Sequence, residues 1–209
     1  MKKLYRNCAT SLGILFTLPF TILPAFAEVG IGVSFKSNDA SLYIPWQITP
    51  AIRLEGELRQ VSQETEQRGV TTIASTTQNT VYTSDNDATE IGTGLFWTNS
   101  LQNNITLLLG LRLNYVESES SNYQTVSSTI SVSSKSDLDG FEWAPTLGLE
   151  YSITDKIKVA AEVNYFKQDL DGKGRSVQTG GFSGTVTNNA DLEASANGTN
   201  TRLILRYFF

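Results

Sequence analysis

The residues best suited to chemistry are charged side chains that recur at alternate positions within otherwise apolar segments. Two carboxylates at such a spacing, as in Glu55 and Glu57, could serve general acid–base catalysis. Acidic and basic side chains in nearly equal numbers also form ion pairs in a protein interior, and this balance favours the packing role. The set is Lys36, Arg53, Glu55, Glu57, Arg59, Glu90, Arg112, Glu142, Glu150, Lys158, Glu162, Arg202 and Arg206.

The chain contains no histidine, so a Ser-His-Asp relay cannot form. Its one cysteine, Cys8, precedes the predicted mature domain and leaves that domain without thiol chemistry. Oxygen-rich clusters occur at residues 85–87, 137–140 and 169–172, but none completes a calcium loop, and such clusters are also common in turns. We therefore expect no enzymatic activity, no metal site and no cofactor.

The first 27 residues have the features of an export signal: a basic start, an apolar stretch at Leu12–Leu23 and a small-residue cleavage pattern at Ala25–Ala27. We predict that Met1–Ala27 is a cleaved signal peptide and that Glu28–Phe209 is a single domain. The chain carries 16 basic and 21 acidic residues, and cleavage would make the balance more acidic. Such a charge argues against nucleic acid as a partner.

The charged residues belong to segments in which apolar and polar side chains alternate, as they do along a β-strand. Four successive charges on one face, from Arg53 to Arg59, are incompatible with an apolar core. In a soluble sandwich or lipocalin-like barrel, glycines such as Gly92 and Gly94 would weaken a solvent-facing strand, whereas in a narrow membrane barrel they make room for large lumen side chains. The segments are Glu28–Lys36, Leu42–Ile48, Ile52–Arg59, Glu90–Trp97, Ile105–Tyr115, Phe141–Ile153, Ile157–Phe166 and Thr199–Phe209.

The predicted fold is an all-β, eight-stranded antiparallel up-and-down transmembrane β-barrel with long extracellular loops, because long and short connections alternate after the first. The long connections are Ser62–Ala88, Glu117–Gly140 and Asp169–Gly198. Each contains local alternation, which predicts that the strand pairs continue beyond the membrane. These alternating parts are Val70–Tyr82, Val126–Val132 and Val177–Val186.

Aromatic residues give an independent indication of strand direction. If odd-numbered strands run outward, one aromatic group falls at the periplasmic boundary of the membrane and a second at the outer boundary. The inner group is Trp46, Trp97, Tyr151, Tyr207 and Phe209, and the outer group is Tyr115, Trp143 and Tyr165.

From Glu28 to Phe209 the sequence resembles the small eight-stranded outer-membrane proteins of Gram-negative bacteria, of the OmpA-barrel and OmpX type. The resemblance rests on the leader, the rhythm of strands and loops, and a C-terminal alternation of hydrophobic residues that ends on an aromatic. In that family the barrel-assembly machinery reads such an ending, and here the matching positions are Leu203, Leu205, Tyr207 and Phe209. The resemblance implies an outer-membrane location among lipid and lipopolysaccharide.

Eight strands leave a lumen only just wide enough for side chains, so we expect the charged set to fill it. In particular, Glu162 is expected to pair with Arg202 or Arg206. We predict a monomeric, non-enzymatic barrel whose outer loops either bind a host or cell-surface ligand, in an adhesion-like role, or shield the surface. The alternative is a narrow porin-like channel for ions or small solutes; a hydrophobic lateral channel is less consistent with a charged lumen.

Overall fold

A computed structural model describes residues 27–36, 39–73, 76–102, 104–127, 130–180 and 184–209 of this chain. In these ranges eight strands follow one another, each antiparallel to the next, and the last strand pairs with the first to close a barrel. The predicted all-β, up-and-down fold is therefore confirmed. The strands are β1 Glu28–Lys36, β2 Asp39–Thr49, β3 Ile52–Ile73, β4 Thr76–Ser100, β5 Ile105–Ser127, β6 Ile130–Ser152, β7 Ile157–Thr179 and β8 Thr185–Phe208.

Some predictions fall outside the described residues. The predicted signal peptide, Met1–Ala27, lies there except for its last residue, and Cys8 lies there with it. The backbone of Lys36 belongs to β1, but its side chain is also outside the described part of the chain.

The strands differ in length, and this difference corrects the predicted loops. β1 and β2 have 9 and 11 residues, whereas β3 to β8 have between 22 and 25. Most of the three polar stretches predicted as long loops therefore lies in strands, and the predicted continuation of the strand pairs is confirmed. The cause is pairing that runs unbroken from base to tip, as from Ile52↔Trp97 to Ile73↔Thr76 between β3 and β4.

The short β1–β2 hairpin divides the molecule into two regions. β2 pairs with β3 as far as Arg59, and β1 pairs with β8 as far as Leu203. Up to this level all eight strands form a closed ring, which we call the lower barrel. Beyond it β3 to β8 continue as a six-stranded sheet, the outer sheet, whose edges are residues Gln60–Ile73 of β3 and Thr185–Arg202 of β8.

Alternation sends one face of each strand into the lower barrel and the other face outward. The outward face carries large apolar side chains that stay about half exposed, such as Leu113 at 53% and Leu205 at 49%. The inward face buries charged side chains, including Arg53 and Arg112. This distribution is the inverse of that in a water-soluble barrel and is typical of strands that face lipid. In the described residues, no helix is both long and apolar enough to cross a membrane.

Glycines of the inward face make room for large side chains, as the sequence predicts. A Cβ atom at Gly94 would lie 2.5 Å from Cε2 of Phe96, and a Cβ atom at Gly148 would lie 2.8 Å from Cγ of Glu162. Several charged residues lie directly across from a glycine on the neighbouring strand, so their long side chains can extend over it. These pairs include Gly32 with Arg206, Gly94 with Arg112 and Gly148 with Glu162.

Candidate functional site

The lower barrel contains a network of ion pairs centred on Arg206. Its Nη2 atom lies 2.8 Å from a carboxylate oxygen of Glu55 and 2.8 Å from one of Glu162. Its Nη1 atom lies 2.8 Å from a carboxylate oxygen of Glu150. All four side chains are completely removed from solvent. The pairing expected between Glu162 and an arginine of the last strand is therefore present.

Arg112 joins two of these carboxylates from another part of the wall. Its Nη2 atom lies 2.8 Å from Glu55 and 2.8 Å from Glu162. Its guanidinium carbon lies over two aromatic rings, 4.9 Å from the centroid of Tyr43 and 4.7 Å from that of Phe96. Such stacking stabilises a cation that has left water. The network therefore combines ion pairs with aromatic packing across the whole width of the lumen.

The network extends towards both ends of the lower barrel. Near the base, where β1 begins, Arg53 donates two hydrogen bonds to Glu150, at 2.7 and 2.8 Å. Lys158 lies 3.9 Å from Glu150 and is more exposed than the arginines. Nearer the outer sheet, Nη1 of Arg202 lies 3.0 Å from Glu57. Two-point pairs between arginine and carboxylate fix both distance and orientation, so they hold the walls in one geometry.

A second polar cluster lies at the upper end of the lower barrel. Arg59 is 2.7 Å from Glu90 and 3.0 Å from Asp39. The side-chain amide of Asn114 donates to Glu90 at 2.5 Å and to Glu142 at 3.1 Å. Neither Asp39 nor Asn114 belongs to the predicted charged set, because Asp39 falls between the first two predicted segments and Asn114 carries no charge. For Asn114, its place on the inward face of a predicted strand was an available signal.

Next to this cluster the lumen widens into a cavity of about 280 Å³. Its walls are the charged cluster itself and the apolar side chains of Val116, Phe166 and Leu170. The space is large enough for several water molecules. The cavity lies between the outer sheet and the buried ion pairs of the lower barrel.

Apolar side chains also fill part of the lower barrel, which the charge pattern does not predict. Tyr43, Phe96, Leu108, Ala160 and Ile204 form a buried cluster. Strict alternation places each of them on an inward face. Leu108 was missed because it lies in an unbroken run of leucines, where the alternation cannot be seen.

The aromatic residues predicted to form girdles lie on the outward face. Trp97, Tyr151, Tyr207, Phe209, Tyr115, Trp143 and Tyr165 are exposed, and Trp46 is half-buried. The residues of the C-terminal pattern, Leu203, Leu205, Tyr207 and Phe209, are exposed on the same face. Their roles at the membrane boundaries and in assembly remain predictions.

Carboxylates dominate the outward face of the outer sheet where it adjoins the lower barrel. Glu117, Asp139, Asp171 and Glu193 lie directly across from one another on β5, β6, β7 and β8. We call this set the acidic row. Like charges in directly opposed positions repel each other. The row ends at Glu193, because β8 is the edge of the outer sheet.

Further out, the charges are mixed and form local pairs. Lys135 lies 3.0 Å from Asp137 and 3.7 Å from Glu119. The hydrogen bond to Asp137 raises the pKa of Lys135 above its ordinary value. All three side chains are about half exposed. These contacts are therefore screened by water, unlike those of the lower barrel.

The three oxygen-rich clusters lie within β4, β6 and β7. For residues 137–140 and 169–172, whose Asp-x-Asp-Gly pattern is also common in turns, the turn interpretation was wrong, because an aspartate at every second residue also suits one exposed face of a strand. Within the ranges that the structure describes, no group of three or more acidic, histidine or cysteine residues is arranged to hold a metal ion.

The closed ring of eight strands, with charges inside and apolar side chains outside, defines a small transmembrane β-barrel. The family model described as "Protein of unknown function (DUF2860)" matches residues 61–201, so the chain belongs to that family. A comparison with curated proteins finds no match.

The fold is also similar to that of solved outer-membrane proteins. A major outer membrane protein from Thermus thermophilus aligns with a TM-score of 0.61 and 8% identity, over 88% of this chain and 99% of that one. CarO2 from Acinetobacter baumannii aligns with a TM-score of 0.46 and 11% identity, over 87% and 98%. Ail from Yersinia pestis, in complex with the heparin analogue sucrose octasulfate, aligns with a TM-score of 0.42 and 8% identity, over 88% and 95%. The Thermus likeness confirms the barrel fold and the predicted resemblance to small outer-membrane barrels.

Proposed function

We propose that this protein is a monomeric, non-enzymatic barrel of the bacterial outer membrane, with a sealed lumen and an outer sheet that makes contacts at the cell surface. The observation that carries the proposal is the ion-pair network of the lower barrel. Arg206, Arg112 and three glutamates bridge the lumen from wall to wall with no exposure to solvent.

A permeating ion would have to open this network. Each of these five charges has at least one partner within 2.8 Å, and an uncompensated buried charge costs about 3–5 kcal/mol. Apolar packing beside the network, including Phe96, leaves little room for water to replace the lost contacts. The network is therefore better suited to holding the walls together than to conducting ions.

The membrane location is supported by the outward face of the lower barrel. It carries exposed leucines together with exposed aromatic side chains, as lipid-facing strands do. With Met1–Ala27 as an export signal and Leu203, Leu205, Tyr207 and Phe209 as an assembly signal, the chain would reach the outer membrane through the barrel-assembly machinery.

Surface contacts are supported by the outer sheet. Six strands continue well beyond the closed ring, and within the described residues two of them have an edge that pairs with no further strand. An exposed strand edge is a template for an incoming strand, which gives the outer sheet a physical route to adhesion or host-protein binding.

Single-barrel conductance in a planar lipid bilayer tests the sealed lumen. We expect no open steps from the wild-type protein, and steps to appear when Arg112→Ala removes a wall-to-wall pair. Lys135→Ala in the outer sheet is the matched control and should remain closed. Open steps in the wild type that Glu162→Ala alters would instead support a narrow channel and overturn the sealed lumen.

A further inference from the structure

Along β8, the backbone hydrogen-bonding groups of successive residues point alternately to the two sides of the strand. At the base of β8, the N–H of Phe208 donates to Lys156 of the β7 side, and the N–H of Phe209 donates to Val29 of β1. The backbone N–H and C=O groups of even-numbered β8 residues therefore point towards β7, and those of odd-numbered residues point towards β1. The pairing of β7 with β8 keeps one register from Ile157↔Tyr207 to Thr179↔Thr185, so the rule holds along the whole strand.

The β1 strand ends at Lys36, and its pairing with β8 ends at Leu203. Beyond that level the odd-numbered residues of β8 still direct their N–H and C=O groups to the side that β1 has left. In the described residues, no strand pairs with this side of Thr185–Arg202. Residues 185–202 contain no proline and no bulge, two of the usual features that protect strand edges.

The side chains beside this edge define what it would accept. On the outward face, Asp191 and Glu193 follow each other at alternate positions, and Glu193 ends the acidic row. On the inward face, Ala194 and Ala196 are small, apolar and exposed. A strand lying against β8 would therefore place basic residues next to the two carboxylates and apolar residues next to the two alanines.

The other edge is less suited to such a partner. On the outward face of β3, Arg68 already lies 2.5 Å from Glu66. Its inward face carries Gln63 and Thr65 where β8 carries alanines. A second copy of the chain is also disfavoured, because either edge would bring further acidic side chains towards Asp191 and Glu193.

We propose that the β8 edge, residues Thr185–Arg202, binds an extended segment of another protein in which basic and apolar residues alternate. The segment adds an antiparallel strand to the outer sheet: its backbone bonds to the odd-numbered residues of β8, and its basic side chains relieve the repulsion at the end of the acidic row. This inference rests on the proposed surface role of the outer sheet and names the partner chemistry for it.

The test uses the full-length barrel in phosphatidylcholine nanodiscs and a fluorescent ten-residue peptide of alternating lysine and valine. Fluorescence anisotropy should show saturable binding, and a glutamate–valine peptide of the same length should bind at least tenfold more weakly. Salt weakens the charge contacts, so the preference between the peptides should shrink as ionic strength rises.

Four variants locate the site. Ser195→Pro removes an outward N–H and should raise the dissociation constant at least tenfold, whereas Ser195→Ala keeps the N–H and should leave it unchanged. Glu193→Lys should reverse the preference between the two peptides. Ser62→Pro, the equivalent change on the β3 edge, should have no effect.

Equal binding by wild type and Ser195→Pro would overturn the proposal, because the peptide would then lie on the charged surface without joining the sheet. If Ser62→Pro abolished binding and Ser195→Pro did not, the choice of edge would be overturned. If the wild type did not bind the lysine–valine peptide, the partner chemistry would be overturned. Each variant is first checked for the heat-modifiable gel migration of a folded barrel. Open steps in the bilayer would instead refute the sealed lumen, so the two failures are distinguishable.

Discussion

The lower barrel and the outer sheet both contain pairs of opposite charges, but the pairs differ in their surroundings. Arg206 and Glu162 are completely buried and lie 2.8 Å apart. Lys135 and Asp137 lie 3.0 Å apart, but both side chains are more than half exposed. The distance is almost the same, so the difference in energy comes from solvent. Breaking a buried pair leaves a charge with neither a partner nor water, whereas breaking an exposed pair returns both charges to water.

Closure of the ring is what separates the two regions. In the lower barrel every strand has two neighbours, and glycines such as Gly148 leave room for a charged side chain of the neighbouring strand. β1 and β2 do not extend into the outer sheet. The sheet is therefore open between β3 and β8, and its side chains face water. The same alternating pattern therefore produces a rigid plug in one region and an accessible surface in the other.

The largest expected effect follows from removing the central cation. Arg206→Met leaves three buried glutamates without their shared partner, and we expect a loss of about 3–5 kcal/mol in the free energy of unfolding. Arg175→Met in the outer sheet is the matched control and should change it by less than about 0.5 kcal/mol. Urea unfolding in lipid vesicles measures both, and similar losses would show that the two regions do not differ.

The second effect tests the packing of the lumen. Gly94→Ala would place a methyl group against Phe96, and we expect a loss of about 1–3 kcal/mol. Gly56→Ala lies where the nearest neighbouring atom would be 3.9 Å away, so it should be nearly neutral. Phe96→Leu should recover part of the Gly94→Ala loss in the double variant. Additive losses would mean that the two residues do not touch.

The third effect compares two adjacent residues of β8. Ala196→Pro removes an N–H that bonds to β7, whereas Ser195→Pro removes one that points to the open side. The first should cost about 1–3 kcal/mol more than the second in the same unfolding assay. A larger loss for Ser195→Pro would reverse the assignment of the free edge.

The smallest effect concerns the exposed pair. Lys135→Ala should change the free energy of unfolding by less than about 0.5 kcal/mol, because water screens its contacts with Asp137 and Glu119. Whatever change remains should disappear at high salt. A salt-independent loss of more than about 1 kcal/mol would place Lys135 in a buried environment and contradict the structure.

Much of the lower barrel follows from the sequence. Period-two alternation identifies which side chains enter the lumen, and glycines at alternate positions mark where large side chains need space. Alternation identifies Glu162 of the neighbouring strand as a partner of Arg206, but not the partners on other strands. Arg206 also pairs with glutamates on β3 and β6, because closure of the ring brings these strands together around the lumen.

The length of the outer strands was harder to predict than their number. Beyond the lower barrel both faces are polar, so hydrophobic alternation fades and the stretches resemble loops. Only short parts such as Val177–Val186 retain the pattern. The pairing of β7 with β8 continues regardless, because antiparallel hydrogen bonds propagate from a pair that the barrel has already aligned.

Residue-resolved hydrogen exchange of the amides of β8, in detergent micelles, tests the division of the molecule most directly. In the lower barrel, both Leu203 and Ile204 should exchange slowly, because β1 and β7 each accept one of their N–H groups. In the outer sheet, Ala194 and Ala196 should stay protected, while Ser195 and Asn197 exchange fast. Uniform protection of all four would show that the β8 edge is covered and would contradict the account of an open outer sheet on a sealed barrel.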